Sequence, residues 1–342
     1  MVTGEHLRLA TYNVEWFDAL FDNAGDLLAD DLPSARFDIS RMQQIEALAM
    51  VFTALQADGV MIIEAPDTSR RRRTVIALET FARTFDLRTR KAVTGFRNNT
   101  QQEIAFLYDP DKLKVHHDPL GDAAPRFDKE FNIDLDMDGT GERVTFSKPP
   151  LELAMTTAGG RKLRLIGAHL KSKAPHGARN RDEVMRLSIT NRRKQLAQAI
   201  WLRARIAEHL DRRESLIVMG DLNDGPGLDE YEDLFGRSSV EIILGDGLED
   251  VRHRLYDPHA AEALTQKIGA HPSTARFFIL PDNRYLSALL DYIMVSPDLR
   301  ALAPKWRIWH PFDDPDCWED EALRDALLTA SDHFPVTIDI EL

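Results

Sequence analysis

Cysteine is almost missing from this chain. One residue of 342, Cys317, carries a thiol. An intramolecular disulfide is therefore excluded, and the composition fits a reducing compartment. Long apolar runs are missing too, since no stretch approaches the roughly 20 residues that span a bilayer. The opening Met1-Val2-Thr3-Gly4-Glu5-His6 lacks the basic segment and apolar core of a secretory signal. A cytoplasmic location is the expectation. An excess of positive charge is also absent. The 43 basic side chains face 56 acidic ones, a formal net charge of −13, which argues against a protein that coats polyanions in general. A phosphate-bearing substrate stays open, because charges act over about 8 Å at physiological salt and local groups decide. No short-period repeat, low-complexity tract or clear linker breaks the chain. With 43% hydrophobic residues it can bury a sizeable core. Length alone suggests two domains, but mixed strands and helices throughout favour a single α/β domain over residues 1–342 with two packed sheets.

What is present begins with short aliphatic runs. Leu7 to Val14 reads as a strand with Leu7, Leu9 and Thr11 on one face. Gly59 to Ile63 reads as a buried strand ending at Glu64, and Ser215 to Met219 as another ending at Gly220-Asp221-Leu222-Asn223. Further strands are expected at Ile104–Tyr108, Leu113–His116, Tyr292–Val295 and Val336–Ile340. Leu151–Thr156 and Leu163–Leu170 flank a Gly159-Gly160 turn and read as a hairpin. Apolar residues three or four apart predict a helix from Ile39 to Leu55 capped by Asp38, one carrying Val75, Leu78, Phe81 and Phe85, and a long one from about Glu183 to Glu208. Long loops are expected from about Gly236 to Leu286 and from Pro297 to Ala330.

The polar residues sit at strand ends. Asp221 and Asn223 stand two apart, so an extended backbone would turn both toward one pocket. Ionised Asp accepts hydrogen bonds or binds a hard metal, and Asn both donates and accepts. Alone, the segment is an ordinary strand-to-turn ending. The pattern recurs, however, at Thr11-Tyr12-Asn13, at Glu64, at Ala168-His169, at Leu290-Asp291-Tyr292 and at Ser331-Asp332-His333-Phe334-Pro335. Each alone is a turn residue, a solvated end or a core histidine. Together they point to ligand binding outside one set of strand ends.

In this order the residues resemble the endonuclease/exonuclease/phosphatase superfamily, from Asn13 to His333. The resemblance implies a DNase I-like four-layer α/β sandwich, with two face-to-face sheets and helices outside. It implies a metal-dependent phosphoric ester hydrolase, and most specifically a phosphodiesterase or nuclease. Glu64 would be the main ligand of Mg²⁺ or Mn²⁺, with Asn13 and Asp332 beside it. Oxygen-only ligands suit such hard ions. Asp221 would orient or deprotonate the attacking water, and Asn223 would hold that water or a phosphate oxygen. His333 paired with Asp291 would act as base or as a proton-bearing stabiliser. His169 would donate to a phosphate oxygen or to the leaving group. Lys148 stands where the family often has Arg, without its bidentate fork. Gln102 stands where some nucleases carry a Glu that supports the central His. Ala65-Pro66-Asp67 replaces the more usual continuation after Glu64.

The substrate is DNA, RNA, or another phosphate ester. A phosphatase or phospholipase on a small or lipid phosphate is the rival within enzymes. A non-catalytic phosphate or nucleic-acid binder is the rival of another class. Sphingomyelin hydrolysis is disfavoured, since no exposed aromatic hairpin is evident. Lys171 and Lys173, next to His169, read as a basic rim that could grip phosphate. The later Arg179, Arg181, Arg192, Arg193 and Lys194 read as an exposed helix face, and Arg70 to Arg73 equally as a contact to a second phosphate or a solvated helix start. Asp134-Leu135-Asp136-Met137-Asp138-Gly139 imitates a calcium loop, but its twelfth position is Thr145 rather than the Glu that a structural Ca²⁺ site needs. An acidic hairpin turn is preferred. Trp306 and Trp309 could stack on bases, though a core strand is the better reading.

Overall fold

The computed structural model describes residues 4–70, 72–135, 141–175, 177–225, 236–265, 271–279 and 283–342. The strands are β1 (His6–Asn13), β2 (Gly59–Pro66), β3 (Lys91–Thr94), β4 (Gln102–Tyr108), β5 (Leu113–His117), β6 (Phe131–Ile133), β7 (Glu142–Val144), β8 (Leu151–Thr157), β9 (Lys162–His169), β10 (Leu216–Asp221), β11 (Ala275–Ile279), β12 (Arg284–Ala288), β13 (Asp291–Val295), β14 (Lys305–Ile308) and β15 (Val336–Glu341). Two large sheets result, in the orders β14-β15-β1-β2-β4-β3 and β13-β10-β9-β8-β5. The small pairs β11-β12 and β6-β7 stand apart from them.

Alternation along the strands sorts side chains into three apolar layers. Leu7, Leu9, Met61, Ile63, Ile104 and Phe106 from the first sheet meet Leu163, Leu165, Ile217, Met219, Ile293 and Val295 from the second. The intervening residues of the first sheet, such as Ala10, Tyr12, Val60 and Ile62, face helices α1 (Arg41–Leu55) and α2 (Thr74–Thr84) and the helix Glu321–Ala330. Those of the second sheet, such as Ile166, Ala168 and Val218, face α3 (Arg181–Asp211) around the fully buried Trp201. The architecture is thus helix, sheet, sheet, helix, as the sequence implied. At Gly167 the sheets approach so closely that a methyl group would overlap Met61 Sδ and crowd Ile104.

Several expectations change in detail. Helix α1 is capped by Ser40 rather than Asp38. The Ser40 hydroxyl accepts the Gln43 N–H, and the Gln43 side chain returns a bond to the Ser40 N–H. Asp38 instead sits at φ 58° in the loop before it. β4 and β5 adjoin in the chain but belong to different sheets. The expected long loops hold regular structure: helices Ser239–Leu244 and Pro258–Thr265 with the β11-β12 hairpin in the first, and Pro297–Arg300, β14, Pro315–Glu319 and Glu321–Ala330 in the second. Trp306 and Trp309 are tied into the body, their indole N–H groups donating to the Ile293 carbonyl and the Thr337 hydroxyl. β6 and β7 pair antiparallel on either side of the calcium-like segment. Most of that segment, 136–140, lies outside the described residues. No helix among the described residues is long and apolar enough to cross a membrane.

Candidate active site

Strand register decides which polar ends converge. Asn13 follows Leu7 and Leu9 in parity, His169 follows Leu163 and Leu165, Asp221 follows Ile217 and Met219, and Asp291 precedes Ile293 and Val295. All of those apolar residues face the inter-sheet core, so the four polar side chains point into the seam where the sheets end. Asp221 pairs with His169 on one side and Asp291 on the other. Gly220, at φ 137°, brings the chain so near the Ala168 carbonyl that a side chain there would collide with it. Asn13, His169, Asp221, Asp291 and His333 are all buried.

Asp221 is held from several directions. Its Oδ1 accepts the Asn223 N–H at 2.7 Å. Its Oδ2 accepts Asn13 Nδ2 at 3.0 Å and Asn223 Nδ2 at 3.2 Å. Burial pushes its pKa up to about 7, with His333 pulling down and Asp291 pushing up. His333 Nδ1 lies 2.7 Å from Asp291 Oδ2, and its Nε2 lies 3.9 Å from Asp221 Oδ2 and 4.0 Å from Asp332 Oδ1. Burial alone would lower the imidazole pKa, but Asp291, Asp221 and Asp332 outweigh it and raise it to about 10. His333 is therefore an imidazolium at neutral pH. His169 is its opposite. Burial, then Lys148 and His333, push it well below its ordinary value, so the ring is neutral. Lys148 Nζ donates to its Nδ1 at 3.2 Å, which leaves the ring proton on Nε2, 3.6 Å from Asp221 Oδ2.

Glu64 reaches the site differently. Its parity with Val60 and Ile62 would aim it at the helices. A bulge between Ile63 and Ala65 breaks the register with β4, and Glu64 adopts φ 62°. A left-handed glutamate costs on the order of 1–3 kcal/mol and is a mark of functional geometry. The turned carboxylate accepts the Trp16 N–H at 3.0 Å. Burial raises its pKa, Lys148 and His333 lower it, and Asp332 raises it. Glu64, within electrostatic reach of Asp332, and Asn13, which lies opposite Ile63 and whose Oδ1 accepts the Glu15 N–H at 3.1 Å, offer oxygen donors of the kind a hard divalent cation takes. A second group able to hold a metal is Asp221, Asp291 and His333. There Asp291 Oδ2 is taken by His333 Nδ1 and by the Thr274 hydroxyl at 2.8 Å, while Asp291 Oδ1 is buried with no hydrogen-bond partner among the described residues.

Of the three lysines singled out, Lys148 enters the site, where burial lowers its pKa against the pull of Glu64 and Asp221. Lys171 lies close enough to act electrostatically on both Lys148 and His169. Lys173 does not join this rim. Its Nζ lies 2.6 Å from Asp224 Oδ1, which also takes Arg192 at 2.8 Å, inside a buried node. Arg72 is likewise internal, bonded to Asp67 and to the Asp18 and Phe21 carbonyls.

Some residues had no role in the sequence reading. Glu15 accepts the Asp332 N–H at 3.0 Å and pairs with Arg36; its position two after Asn13 was the available signal. Thr274 also accepts the Asp291 N–H at 2.9 Å. Phe277 stands edge-on to His333, ring centres 5.5 Å apart. The β11-β12 hairpin that carries Phe277 exposes Phe278 and Tyr285, so an aromatic hairpin is present where none was expected. The aromatic runs on both sides of Pro281-Asp282-Asn283 were its signal.

A buried acidic and histidine cluster at one end of two facing sheets, in a helix-covered sandwich, defines a hydrolase class that works on phosphoric esters with a divalent metal. Residues 10–333 match the model of the Endonuclease/Exonuclease/phosphatase family. The chain belongs to that family and is an enzyme of the phosphoric ester hydrolase class. No curated protein matches its sequence. Among solved structures, TDP2 from Caenorhabditis elegans is similar at 14% identity with a TM-score of 0.51, covering 99% of this chain and 75% of that one. An endonuclease/exonuclease/phosphatase from Bacteroides vulgatus is similar at 14% identity with a TM-score of 0.50, covering 99% of each. At such identity these likenesses bear on the fold alone.

Proposed function

We propose that the chain is a phosphodiesterase that cleaves nucleic acid by direct attack of water on phosphorus. The observation that carries this is Asp221, a buried carboxylate held by Asn13 and Asn223 with its Oδ2 3.9 Å from the protonated Nε2 of His333. In this reading Glu64, Asn13 and Asp332 hold Mg²⁺ or Mn²⁺. The bound ion would neutralise charge growing on the phosphoryl oxygens. Asp221 orients the water and takes its proton. Asn223 spends its amide N–H groups on Asp221 and the Leu170 carbonyl, so its remaining oxygen can accept from that water but cannot donate to phosphate. His333, kept charged by Asp291, bears a proton for the leaving oxygen instead of acting as a base. His169 Nε2–H, Lys148 and Lys171 face the non-bridging oxygens. No covalent intermediate with the protein is needed.

The paired cations Lys148 and Lys171 also suit a dianionic terminal phosphate, which favours a phosphatase as the second reading. Purified protein with Mg²⁺ or Mn²⁺, with and without EDTA, is offered single- and double-stranded DNA, RNA, bis(p-nitrophenyl) phosphate and p-nitrophenyl phosphate. EDTA-sensitive cleavage of nucleic acid and of the bis-ester is the expected result. Turnover of the mono-ester alone replaces this reading with the phosphatase, and silence on every substrate overturns both.

A further inference from the structure

The β11-β12 hairpin is tied directly to the site. The Arg276 N–H donates to the Asp332 carbonyl at 2.7 Å, and the Phe334 N–H to the Thr274 carbonyl at 2.6 Å. Register puts Arg276 and Phe278 on one face with Tyr285, which stands opposite Phe278. On that face the Arg276 guanidinium lies 3.6 Å from the Tyr285 ring centre and 5.2 Å from that of Phe312. Phe278 packs on Tyr285 at 5.1 Å, and Phe312 on Trp318 at 6.2 Å. The result is a continuous aromatic and guanidinium strip. Phe278 is 47% exposed, Tyr285 53%, Phe312 41% and Trp318 52%. Large rings left this open, in one row starting beside Asp332, are not explained by packing.

We infer that this strip is a stacking platform for the unpaired bases of a single strand whose scissile phosphate lies at Asp221 and Glu64. The inference rests on the phosphodiesterase reading and adds the strand preference to it. Every base offers a π-face to an aromatic ring, and an arginine held between rings adds cation–π and phosphate contact. A duplex hides those faces. The formal charge of −13 opposes general polyanion binding, and the strip itself grips by stacking, which salt weakens only mildly. The same charge opposes an anionic bilayer, and the strip holds Arg276, with Arg324 over Trp318 at 5.0 Å, instead of the basic cluster that draws a peripheral protein to such a surface.

Binding is measured by fluorescence anisotropy in EDTA, with a fluorescein-labelled oligothymidylate 12-mer and a blunt duplex as probes. Phe278→Ala and Phe312→Ala are each expected to weaken single-strand binding about tenfold, with the duplex unaffected and Tyr285→Phe near wild type. Bis(p-nitrophenyl) phosphate turnover should be unchanged in all three. Equal binding of single strand and duplex by the wild-type protein, or no loss in the variants, overturns the platform. So does sedimentation with phosphatidylcholine vesicles that these variants abolish while oligothymidylate binding persists. Failure of the wild-type protein to hydrolyse the bis-ester would strike the phosphodiesterase reading alone, since anisotropy needs no turnover.

Discussion

Asp221 and Glu64 both stand at the ends of buried strands, yet only Asp221 reaches the site by following its strand's alternation. Asp221 continues the inward row of Ile217 and Met219, next to His169 and Asp291, which continue rows of their own. Glu64 belongs by parity to the outward row and is returned to the seam by a bulge and a left-handed backbone. One half of the site is delivered by strand alternation and rich in hydrogen bonds, although Gly220 and Asn223 beside Asp221 also carry positive φ. The other is an exception in the ladder, and burial holds its carboxylate above the usual range against the pull of Lys148 and His333. The lesson is a division of labour. In the proposed mechanism, proton handling falls to the residues carried in by strand alternation, and cation binding to the carboxylate turned in by the bulge.

The sharpest way to break this contrast is to neutralise each half. Asp221→Asn and His333→Ala should each lower turnover by about 10²–10⁴-fold. The Mg²⁺ concentration for half-maximal rate and the circular dichroism spectrum should stay as in the wild type. Near wild-type kcat in either would remove the proton-handling role. Glu64→Gln should behave otherwise, raising the Mg²⁺ requirement about 10–100-fold, with partial recovery of rate at saturating metal. It also carries a signature in stability. The Glu64 pKa is raised in the folded chain, mainly by burial, so its ionisation opposes folding above the usual carboxylate range and has no effect below it. In EDTA the variant should therefore melt higher than wild type at pH 8 and equally at pH 4, and scanning calorimetry at the two pH values decides it. The smallest effect belongs to the support of the regular half. Thr274→Val removes the hydroxyl that donates to Asp291 Oδ2 and accepts the Leu290 and Asp291 N–H groups, and should lower kcat about tenfold, within the roughly 1–3 kcal/mol that an unpaired buried group costs. KM for bis(p-nitrophenyl) phosphate should hold, and the pH–rate profile should shift as His333 loses part of its partner. A change confined to KM would make Thr274 a packing residue.

The regular half was legible in the sequence because alternation is a local rule. Leu7 and Leu9 announce where Asn13 points, and Ile217 and Met219 do the same for Asp221. Glu64 was legible as a strand end, but its direction was not, since a bulge depends on the pairing partner, here Glu103 opposite Ala65. Lys173 misled for a related reason. Nothing local shows that Asp224 and Arg192 close around it in a buried node. Thr274 and Phe277 lie in a stretch whose neighbours in the cluster, Asp291 and His333, arrive only through tertiary pairing such as that of Ala275 with His333.

The pairing of the first strand with the last has a consequence for when this enzyme can act. Thr11 lies against Val336, and the Ser331 hydroxyl closes onto the Asn13 carbonyl across 318 positions of chain. A polypeptide emerging from the ribosome displays Asn13 first, then Glu64, His169, Asp221 and Asp291 in turn. The Asp332 and His333 side chains follow all of these, together with the strand that pairs with β1. The cluster is therefore incomplete until the strands from β1 to β15 have all been made and paired.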